Sequence, residues 1–424
     1  MSKSKVAVLQ TTPRTVLADY HRLMNLAGYQ DVVAKDADTA LKVNISWHFF
    51  FPGSSTTPWQ LEGVIRAMKQ DGYNPDLIHA CHNRTVVIDA HFGERENKQI
   101  NVVEAHGLRN IHLYEGQEWI NIRDAVGDLA SKFICLNEVY PKGFHIPKRF
   151  IGENIIHLPT IKTHIFTTTT GAMKNAFGGL LNERRHWTHP VIHETLVDLL
   201  MIQKKIHRGV FAVMDGTFAG DGPGPRCMMP YVKNVILASA DQVAIDATAA
   251  KMMGFDPLSI KFIRLAHDMG LGCGDPREIE IVGDEEAAAM NWHFDGPFKK
   301  MTFASRMQHK IYWGPLKKPI EWSLKTVLAP WSYAASVVYH DSFWYPVIAK
   351  KRMLQVLDSN WGHLFRNWEK LTPDEQGFPT VGTDPAEIKR TGLRALWRSF
   401  GILGTALKEA PEFSTHQRHS SAHR

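Results

Sequence analysis

Short apolar runs alternate with amphipathic segments over the first two thirds of the chain, and this alternation restricts the fold more than any other feature. Val6–Leu9, Leu41–Ile45 and Leu77–Ala80 have the length and apolar content of buried strands. Trp59–Gln70, between the last two, repeats apolar side chains at helical spacing. A strand, a helix and a second strand in succession predict a parallel βαβ unit with a right-handed crossover.

The alternation continues to about residue 285 and predicts a doubly wound, mostly parallel α/β sheet with helices on both faces. Further strands are predicted at Asn154–Leu158, Gly209–Met214, Val232–Ala238 and Glu278–Val282. Further helices are predicted at Val191–Gln203, Gln242–Met253 and Ser259–His267. We therefore predict an α/β domain at residues 1–288, ahead of a region of different composition.

Tryptophan and tyrosine concentrate after that domain, where prolines and basic residues interrupt the earlier pattern. The residues concerned are Trp313, Trp322, Trp331, Tyr333, Trp344, Tyr345, Trp361 and Trp368. We predict a mainly helical, aromatic-rich extension at residues 289–410 and a disordered tail at residues 411–424. Packing of the aromatic side chains onto the core is the favoured interpretation, and a peripheral membrane contact through residues 311–350 is the alternative.

Charge and composition narrow the classes of partner. The net charge is +6, but the basic residues do not form the dense stripe typical of nucleic-acid-binding proteins, so we expect a small anionic molecule instead. No run reaches the ~18 apolar residues of a membrane span. The first ten residues lack the apolar region of a signal peptide, which predicts a cytoplasmic location. The four cysteines have no CxxC spacing, so the chain has no intrinsic iron–sulfur motif.

Residues 158–178 are unusually rich in hydrogen-bonding side chains for a segment with apolar flanks. Because buried polar groups are costly unless paired, we expect this segment to hold a ligand. Lys162 and His164 share one side of an extended chain, and Gly171 permits a tight turn into Lys174. Lys162, His164 and Lys174 are the candidate catalytic residues: the lysines would hold an anion, and the histidine would be a general base or metal ligand.

Polar residues also lie at the ends of other predicted elements, at the edge where open α/β sheets bind ligands. Lys42 and Asn44 are at the end of one strand, and Thr56 or Thr57 can cap the helix that follows. Asp241 can cap the helix predicted at Gln242–Met253. Helix N-termini of this kind attract anions. The predicted anion-binding residues are Lys42, Asn44, Thr56, Thr57, Thr170, Gly171 and Asn175.

A divalent metal ion is also a candidate for binding at the same edge of the sheet. His189 and His193 are four residues apart and would share a helical face, although Pro190 makes His189 a candidate cap instead. Asp215 ends a predicted strand, and Asp246 lies on an apolar helix face where it needs a partner, for which Lys42, Lys162 and Lys174 are candidates. The predicted metal ligands are His164, His189, His193, Asp215 and Asp246.

Taken together, these motifs resemble the family known only as domain of unknown function 362, over about residues 5–285. The matching positions are Lys42 with Asn44, Thr57-Pro58, Pro159 with Lys162-Thr163-His164, Thr170-Gly171 with Lys174-Asn175 and Phe177-Gly178, Asp215-Gly216 with Gly222-Pro223, and Asp241 with Ala244 and Asp246. The resemblance implies a fold and a shared site but no defined reaction. Family members often carry a ferredoxin-like iron–sulfur module, from which this chain departs because its cysteines lack the spacing.

The functional hypothesis is an enzyme that acts on a small anionic substrate by proton transfer or hydrolysis, with assistance from a divalent metal. The first alternative is a redox or cofactor-binding protein that works with an iron–sulfur partner. The second alternative is a non-catalytic, membrane-peripheral binding protein.

Overall fold

The computed structural model describes residues 4–85, 87–181, 183–299, 301–314 and 334–368. The tail predicted at residues 411–424 lies outside the described residues, as do Trp322, Trp331 and Tyr333 of the aromatic region.

A mostly parallel sheet forms the centre of the protein, as the sequence predicts. The strands are β1 (Ser4–Gln10), β2 (Thr39–Val43), β3 (Ile78–His82), β4 (Arg109–His112), β5 (Trp119–Asn121), β6 (His145–Pro147), β7 (Asn154–Leu158), β8 (Thr160–His164), β9 (Thr168–Thr169), β10 (Val210–Asp221), β11 (Met229–Ser239) and β12 (Ile279–Gly283). The order across the sheet is β12-β1-β11-β10-β7-β2-β3-β4, with β8 beside β10 and β9. Strands β5 and β6 form a separate pair.

The predicted βαβ unit is confirmed, because β2 and β3 pair in parallel with Thr39 opposite Ile78. Strands β10, β7, β2, β3 and β4 all run in one direction, so their carboxyl ends meet at one edge. Strand β11 is antiparallel to both β1 and β10. The antiparallel strand follows from the direct connection between β10 and β11, which has no crossover helix.

Helices cover both faces of the sheet. They are α1 (Val16–Leu26), α2 (Pro58–Gln70), α3 (Ala90–Glu96), α4 (Gln99–Ala105), α5 (Ile122–Val126), α6 (Leu136–Val139), α7 (Ala172–Asn175), α8 (Phe177–Leu180), α9 (Ile192–Ile206), α10 (Gln242–Met253), α11 (Lys261–Asp268), α12 (Glu285–Ala289), α13 (Phe303–Trp313), α14 (Lys350–Leu357) and α15 (Asn360–Asn367). A π-helical segment, Val338–Ala349, leads into α14. Helices α1 and α2 belong to one apolar core, and α9, α10 and α11 belong to the other.

Side-chain caps explain where two of the longer helices begin. The Thr57 hydroxyl accepts a hydrogen bond from the Gln60 amide at 3.3 Å at the start of α2. The Asp241 carboxylate accepts two backbone hydrogen bonds at the start of α10, which ends at Gly254 in the left-handed region. Both caps were predicted from the sequence.

The described part of the C-terminal region is helical and packs on the core through aromatic side chains. The Trp361 ring lies 5.1 Å from Trp59, and the Phe365 ring stacks on Phe50 at 3.7 Å. Trp47 donates a hydrogen bond from its indole nitrogen to Asp341 at 2.7 Å. Within the described residues, no helix has the length and apolar character needed to cross a membrane.

Candidate functional site

The lysines and histidines predicted as catalytic or ligating residues lie close enough together for their charges to act on one another's pKa. Lys42 belongs to β2, Lys162 and His164 to β8, and Lys174 to α7. Arg185, which the sequence analysis did not select, also acts on the pKa of Lys42 and of Lys174. We name these residues the basic cluster: Lys42, Lys162, His164, Lys174, Arg185, His189 and His193.

Lys162 is the most completely enclosed lysine of the basic cluster. Its Nζ donates to the Ser54 carbonyl at 2.9 Å and to the Thr160 hydroxyl at 2.6 Å. Burial, reinforced by the charge of Lys174, holds the pKa of Lys162 well below its ordinary value. A neutral amine has two N–H donors, and the two acceptors satisfy both of them.

Lys174 differs from Lys162 because its side chain is only partly buried. Its Nζ lies over the Phe177 ring, 5.2 Å from the ring centre. Burial, with a further contribution from Arg185, lowers the pKa of Lys174 to about 7. An accessible amine with such a pKa can accept or donate a proton near neutral pH.

Lys42 lies on β2, which pairs with β7 and β3 rather than with β8. It is buried, and its Nζ donates to the Val43 carbonyl at 2.5 Å. Burial lowers the pKa of Lys42 to about 8. A Cβ on Gly178 would lie 3.7 Å from the Lys42 Nζ and 3.9 Å from a terminal nitrogen of Arg185, so both basic groups meet at this backbone position.

The hydrogen bond of His164 indicates its tautomer. The Phe166 amide donates to Nδ1 of His164 at 3.1 Å, so Nδ1 is an acceptor and Nε2 carries the proton of the neutral ring. Burial, with the nearby charge of Lys174 next in size, holds the pKa of His164 well below its usual range. This arrangement makes His164 a hydrogen-bond donor through Nε2 rather than a ready metal ligand.

His189 and His193 flank His164 but do not share one helix. His189 lies in the 3-10 segment Glu183–Val191, and α9 begins at Ile192, so Val191 and not His189 is the residue before the helix. The prediction that His189 caps the helix is therefore wrong. Its ring stacks on that of Phe177 at 6.1 Å, and the His193 ring stacks on Phe262 at 6.0 Å.

The predicted anion-binding side chains mainly hold backbone segments in place around the basic cluster. The Thr56 hydroxyl donates to the Leu158 carbonyl at 2.6 Å, and the Asn44 side chain donates to Ser54 at 3.1 Å. The Asn175 amide donates to the Lys42 carbonyl at 2.7 Å, which ties α7 to β2. The Thr170 hydroxyl bonds to the backbone of β8 at 3.3 Å.

Asp246 anchors the turn that carries Lys174. Its carboxylate accepts from the Ala172 amide at 2.6 Å and from the Met173 amide at 3.1 Å. The expectation that a lysine pairs with Asp246 is therefore wrong, because two amides at the start of α7 take that place. Burial raises the pKa of Asp246 to about 8, against the effect of these two hydrogen bonds.

Asp215 is a fully buried carboxylate surrounded by protein donors. Its oxygens accept from the Tyr20 hydroxyl at 3.0 Å, the Thr57 hydroxyl at 2.6 Å and the Trp59 indole at 2.9 Å. The amide and the hydroxyl of Thr217 donate to the other oxygen at 2.7 and 2.6 Å. These contacts join β10 to α1 and α2, and the structure does not place Asp215 with the histidines of the basic cluster.

Potential metal-ligand groups occur elsewhere among the described residues. They are His82 with Glu94 and His112, His91 with His112 and Glu115, and His267 with Cys273 and Glu278. None contains His164, His189, His193, Asp215 or Asp246, whose metal role stays a prediction. None contains more than one cysteine, and the four cysteines are free thiols.

Sequence patterns did not indicate His82 and His112 as a pair, because β4 has no recognisable pattern of its own. Arg109–His112 is short and polar, and lacks the apolar run by which the other strands were recognised. The sequence does contain one spacing that could have indicated a group of metal ligands. His91 and Glu94 are three residues apart, as are His112 and Glu115.

The fold and the basic cluster define an α/β protein whose lysine, histidine and arginine side chains gather beside the carboxyl ends of parallel strands. The family described as "Domain of unknown function (DUF362)" matches residues 39–251, from β2 into α10. The chain belongs to this family, as the resemblance in its motifs indicated.

One relative and one solved structure show more distant likenesses. The thylakoid-associated protein sll1697 of Synechocystis sp. is 27% identical over 123 residues, which cover 28% of this chain and 38% of that protein. A crystal structure of a Thermotoga maritima protein matches with a TM-score of 0.30 and 10% identity, over 52% of this chain and 53% of that one. The chain therefore matches well under two thirds of either protein.

Proposed function

We propose that the protein is an enzyme that binds a small anionic substrate at the basic cluster and transfers a proton through Lys174. The observation that carries the proposal is that Lys42, Lys162 and Lys174 form no ion pair with a carboxylate among the described residues. A buried lysine without an opposite charge is driven towards its neutral form, since an uncompensated charge is costly in the interior. A bound anion would supply the opposite charge.

The differences among the three lysines support separate roles. Lys174 is partly exposed and has a pKa of about 7, which suits a general base that removes a proton next to a carbonyl group. Lys162 and Lys42 lie deeper and would hold the substrate carboxylate or the negative charge that develops on the carbonyl oxygen. His164 would donate a hydrogen bond from Nε2 to the same group.

Anion binding should be accompanied by proton uptake. A negative charge near Lys162, Lys174 and Lys42 favours their charged forms and raises their lowered pKa values. Calorimetric titration with oxalate and with inorganic phosphate at pH 8, in buffers of different ionisation enthalpy, would measure that uptake. The absence of binding by either probe would contradict the proposed anion site.

Matched variants assign the binding to the cluster. We expect K162M to weaken oxalate binding by at least about tenfold, the equivalent of 1.4 kcal/mol. K251M, which removes an exposed lysine on α10, is the control and should bind as the unmodified protein does. Equal affinities of K162M and K251M would contradict the assignment.

The reaction is tested by hydrogen–deuterium exchange. The protein would be incubated in D₂O with a panel of small 2-keto and 2-hydroxy acids, and loss of the proton beside the carbonyl or hydroxyl carbon would be followed by NMR. We expect exchange of at least one of them, and K174A should abolish it while leaving oxalate binding within about tenfold. No exchange across the panel, or exchange that K174A leaves unchanged, would exclude the role of Lys174 as base.

A second candidate function, contact with a membrane surface, is favoured by exposed apolar side chains in the C-terminal region. Phe343 and Val347 are four residues apart on the π-helical segment and more than half of Val347 is exposed. Lys350 and Lys351 follow directly, and such a combination suits an anionic lipid surface. The name of the thylakoid-associated relative is consistent with this function.

Vesicle co-sedimentation tests the second candidate with the full chain. Binding to vesicles that contain phosphatidylglycerol at low salt, and its loss in F343D/V347D, would support membrane contact. Absence of binding at low salt would exclude it. The result leaves the test of the basic cluster unaffected, because the two surfaces are formed by different residues.

A further inference from the structure

Two histidines meet across neighbouring strands at the edge of the sheet, one strand away from Lys42. His82 ends β3 and His112 ends β4, and the two residues lie opposite each other in the parallel pairing. Their ring centres are 4.6 Å apart. Because neighbouring strands are about 4.8 Å apart, paired residues can direct two imidazoles to the same point.

A glutamate from the helix after β3 completes the group. Oε2 of Glu94 lies 2.7 Å from Nε2 of His82 and 3.1 Å from Nε2 of His112. Nδ2 of Asn110 donates to the same oxygen at 2.8 Å. Both imidazoles therefore converge on one carboxylate oxygen, whereas in an ordinary ion pair each imidazole has a carboxylate of its own.

Neighbouring side chains hold His112 and Glu94 in this orientation. Nδ1 of His112 faces Oε2 of Glu115 at 3.8 Å, on the side of the ring away from Glu94. His91 lies between the two glutamates, with Nε2 at 2.8 Å from Glu115 and Nδ1 at 3.7 Å from Glu94. A carboxylate behind a ligating histidine is the usual way in which a metal site sets the ring orientation.

We propose that His82, Glu94 and His112 bind a divalent transition-metal ion, with Glu115 and His91 as the outer groups that position His112 and Glu94. The ligand atoms all lie within 4.8 Å of one another, so a metal can replace the imidazole hydrogens that now point at the carboxylate. Two imidazole nitrogens and a carboxylate suit Zn²⁺ and its first-row neighbours, and not Mg²⁺ or Ca²⁺.

The proposed ligands are enclosed by the protein on all sides but one. His82 and Glu94 are almost fully enclosed, while His112 is partly exposed and leaves a route of entry. Three protein ligands leave at least one coordination position for water or a substrate oxygen.

This site does not depend on the proposed reaction of the basic cluster, since metal binding is measurable without any substrate. The two sites are nevertheless neighbours. Lys42 lies opposite Cys81, the residue before His82, in the parallel pairing of β2 with β3. A metal bound here would therefore lie one strand away from the anion-binding lysines.

The test is a Co²⁺ titration of the full-length protein after treatment with a chelator and its removal. Cobalt reports its ligands through visible absorption, and a thiolate ligand adds a charge-transfer band in the near ultraviolet. We expect one Co²⁺ to bind with visible bands and without the thiolate band, and Zn²⁺ to displace it. No binding to the folded protein would overturn the proposal.

Variants separate this group from the one that contains a cysteine. We expect H112Q to weaken Co²⁺ binding at least about 100-fold, because it removes a ligand. E115Q should weaken it about 10-fold, because it removes only the carboxylate that orients His112. H267Q and C273S, in the other group, are the controls and should bind as the unmodified protein does. E115Q keeps the test valid if H112Q fails to fold, because Glu115 is exposed. Unchanged affinity in H112Q and E115Q, or loss of binding in C273S, would overturn the assignment.

Discussion

Gly171 lies directly against the carboxylate of Asp246: a Cβ at this glycine would be 2.1 Å from Oδ1. Its φ of +140° is also a conformation that side-chain-bearing residues rarely adopt. The glycine therefore permits both the turn into α7 and the two hydrogen bonds from Ala172 and Met173 to Asp246. This contact fixes the position from which Lys174 extends.

G171A should destabilise the protein by about 3–5 kcal/mol, because it adds a collision with Asp246 to the backbone cost. Chemical denaturation followed by circular dichroism would measure the loss. G270A is the matched control, since Gly270 also has a positive φ but a Cβ there would meet nothing within 4 Å. G270A should lower the free energy of unfolding by only about 1–2 kcal/mol. Equal losses in the two variants would show that the contact with Asp246 is not close.

The lowered pKa of Lys174 predicts the direction of a pH dependence. Between about pH 7 and pH 10.5 the unfolded chain holds a proton on this lysine that the folded protein does not hold. The free energy of unfolding should therefore rise with pH through that window, and the penalty should be constant below it.

K174M should remove part of the rise of the free energy of unfolding with pH, and should stabilise the protein at pH 7 by about 1–3 kcal/mol. This stabilisation is smaller than the full pKa shift would give, because Lys174 is partly exposed to solvent. Urea denaturation of K174M and of the surface control K251M at pH 7 and pH 10 would measure both effects. If the two variants show the same dependence on pH, Lys174 is not desolvated in the folded protein.

Sequence patterns were sufficient where a single element carries its own signal. The bounds of β7 and α10 match their predicted bounds, since an apolar run and a capped, largely buried helix are local features. The same holds for the Thr57 and Asp241 caps. The gathering of Lys162, His164 and Lys174 was also foreseen, because one continuous segment contains all three.

Pairings between distant segments could not be predicted in this way. Asp246 was expected to meet a lysine, but the amides that bind it belong to a four-residue helix that has no sequence pattern of its own. The convergence of His82 and His112 on Glu94 depends on the pairing of β3 with β4, and β4 is too short and polar to recognise. In both cases contacts between segments distant in the sequence, rather than residue spacing, bring the groups together.

Asp215 should act as a structural residue, and Y20F and D215A test this role. Y20F removes one of several donors and should cost about 1–2 kcal/mol. D215A should cost about 3–5 kcal/mol, because it leaves the Tyr20 and Thr57 hydroxyls without the buried carboxylate that accepts their hydrogen bonds. Denaturation would measure both losses. A mild D215A variant that instead loses bound metal would support the metal role predicted from the sequence.

Two adjacent aromatic residues of the C-terminal region should have different roles: Trp344 should stabilise the fold, and Phe343 should contact a membrane surface. Trp344 is buried beside Trp47, with ring centres 5.8 Å apart, whereas half of Phe343 is exposed. W344A should lower the free energy of unfolding by about 3–5 kcal/mol, and F343A should change it by no more than about 0.5 kcal/mol. In vesicle co-sedimentation the ranking of the two variants should reverse. F343A should weaken any vesicle binding, and W344A should leave it unchanged at temperatures below the melting temperature of that variant. If both variants are equally stable, the aromatic side chains of this region do not pack against Trp47 in solution.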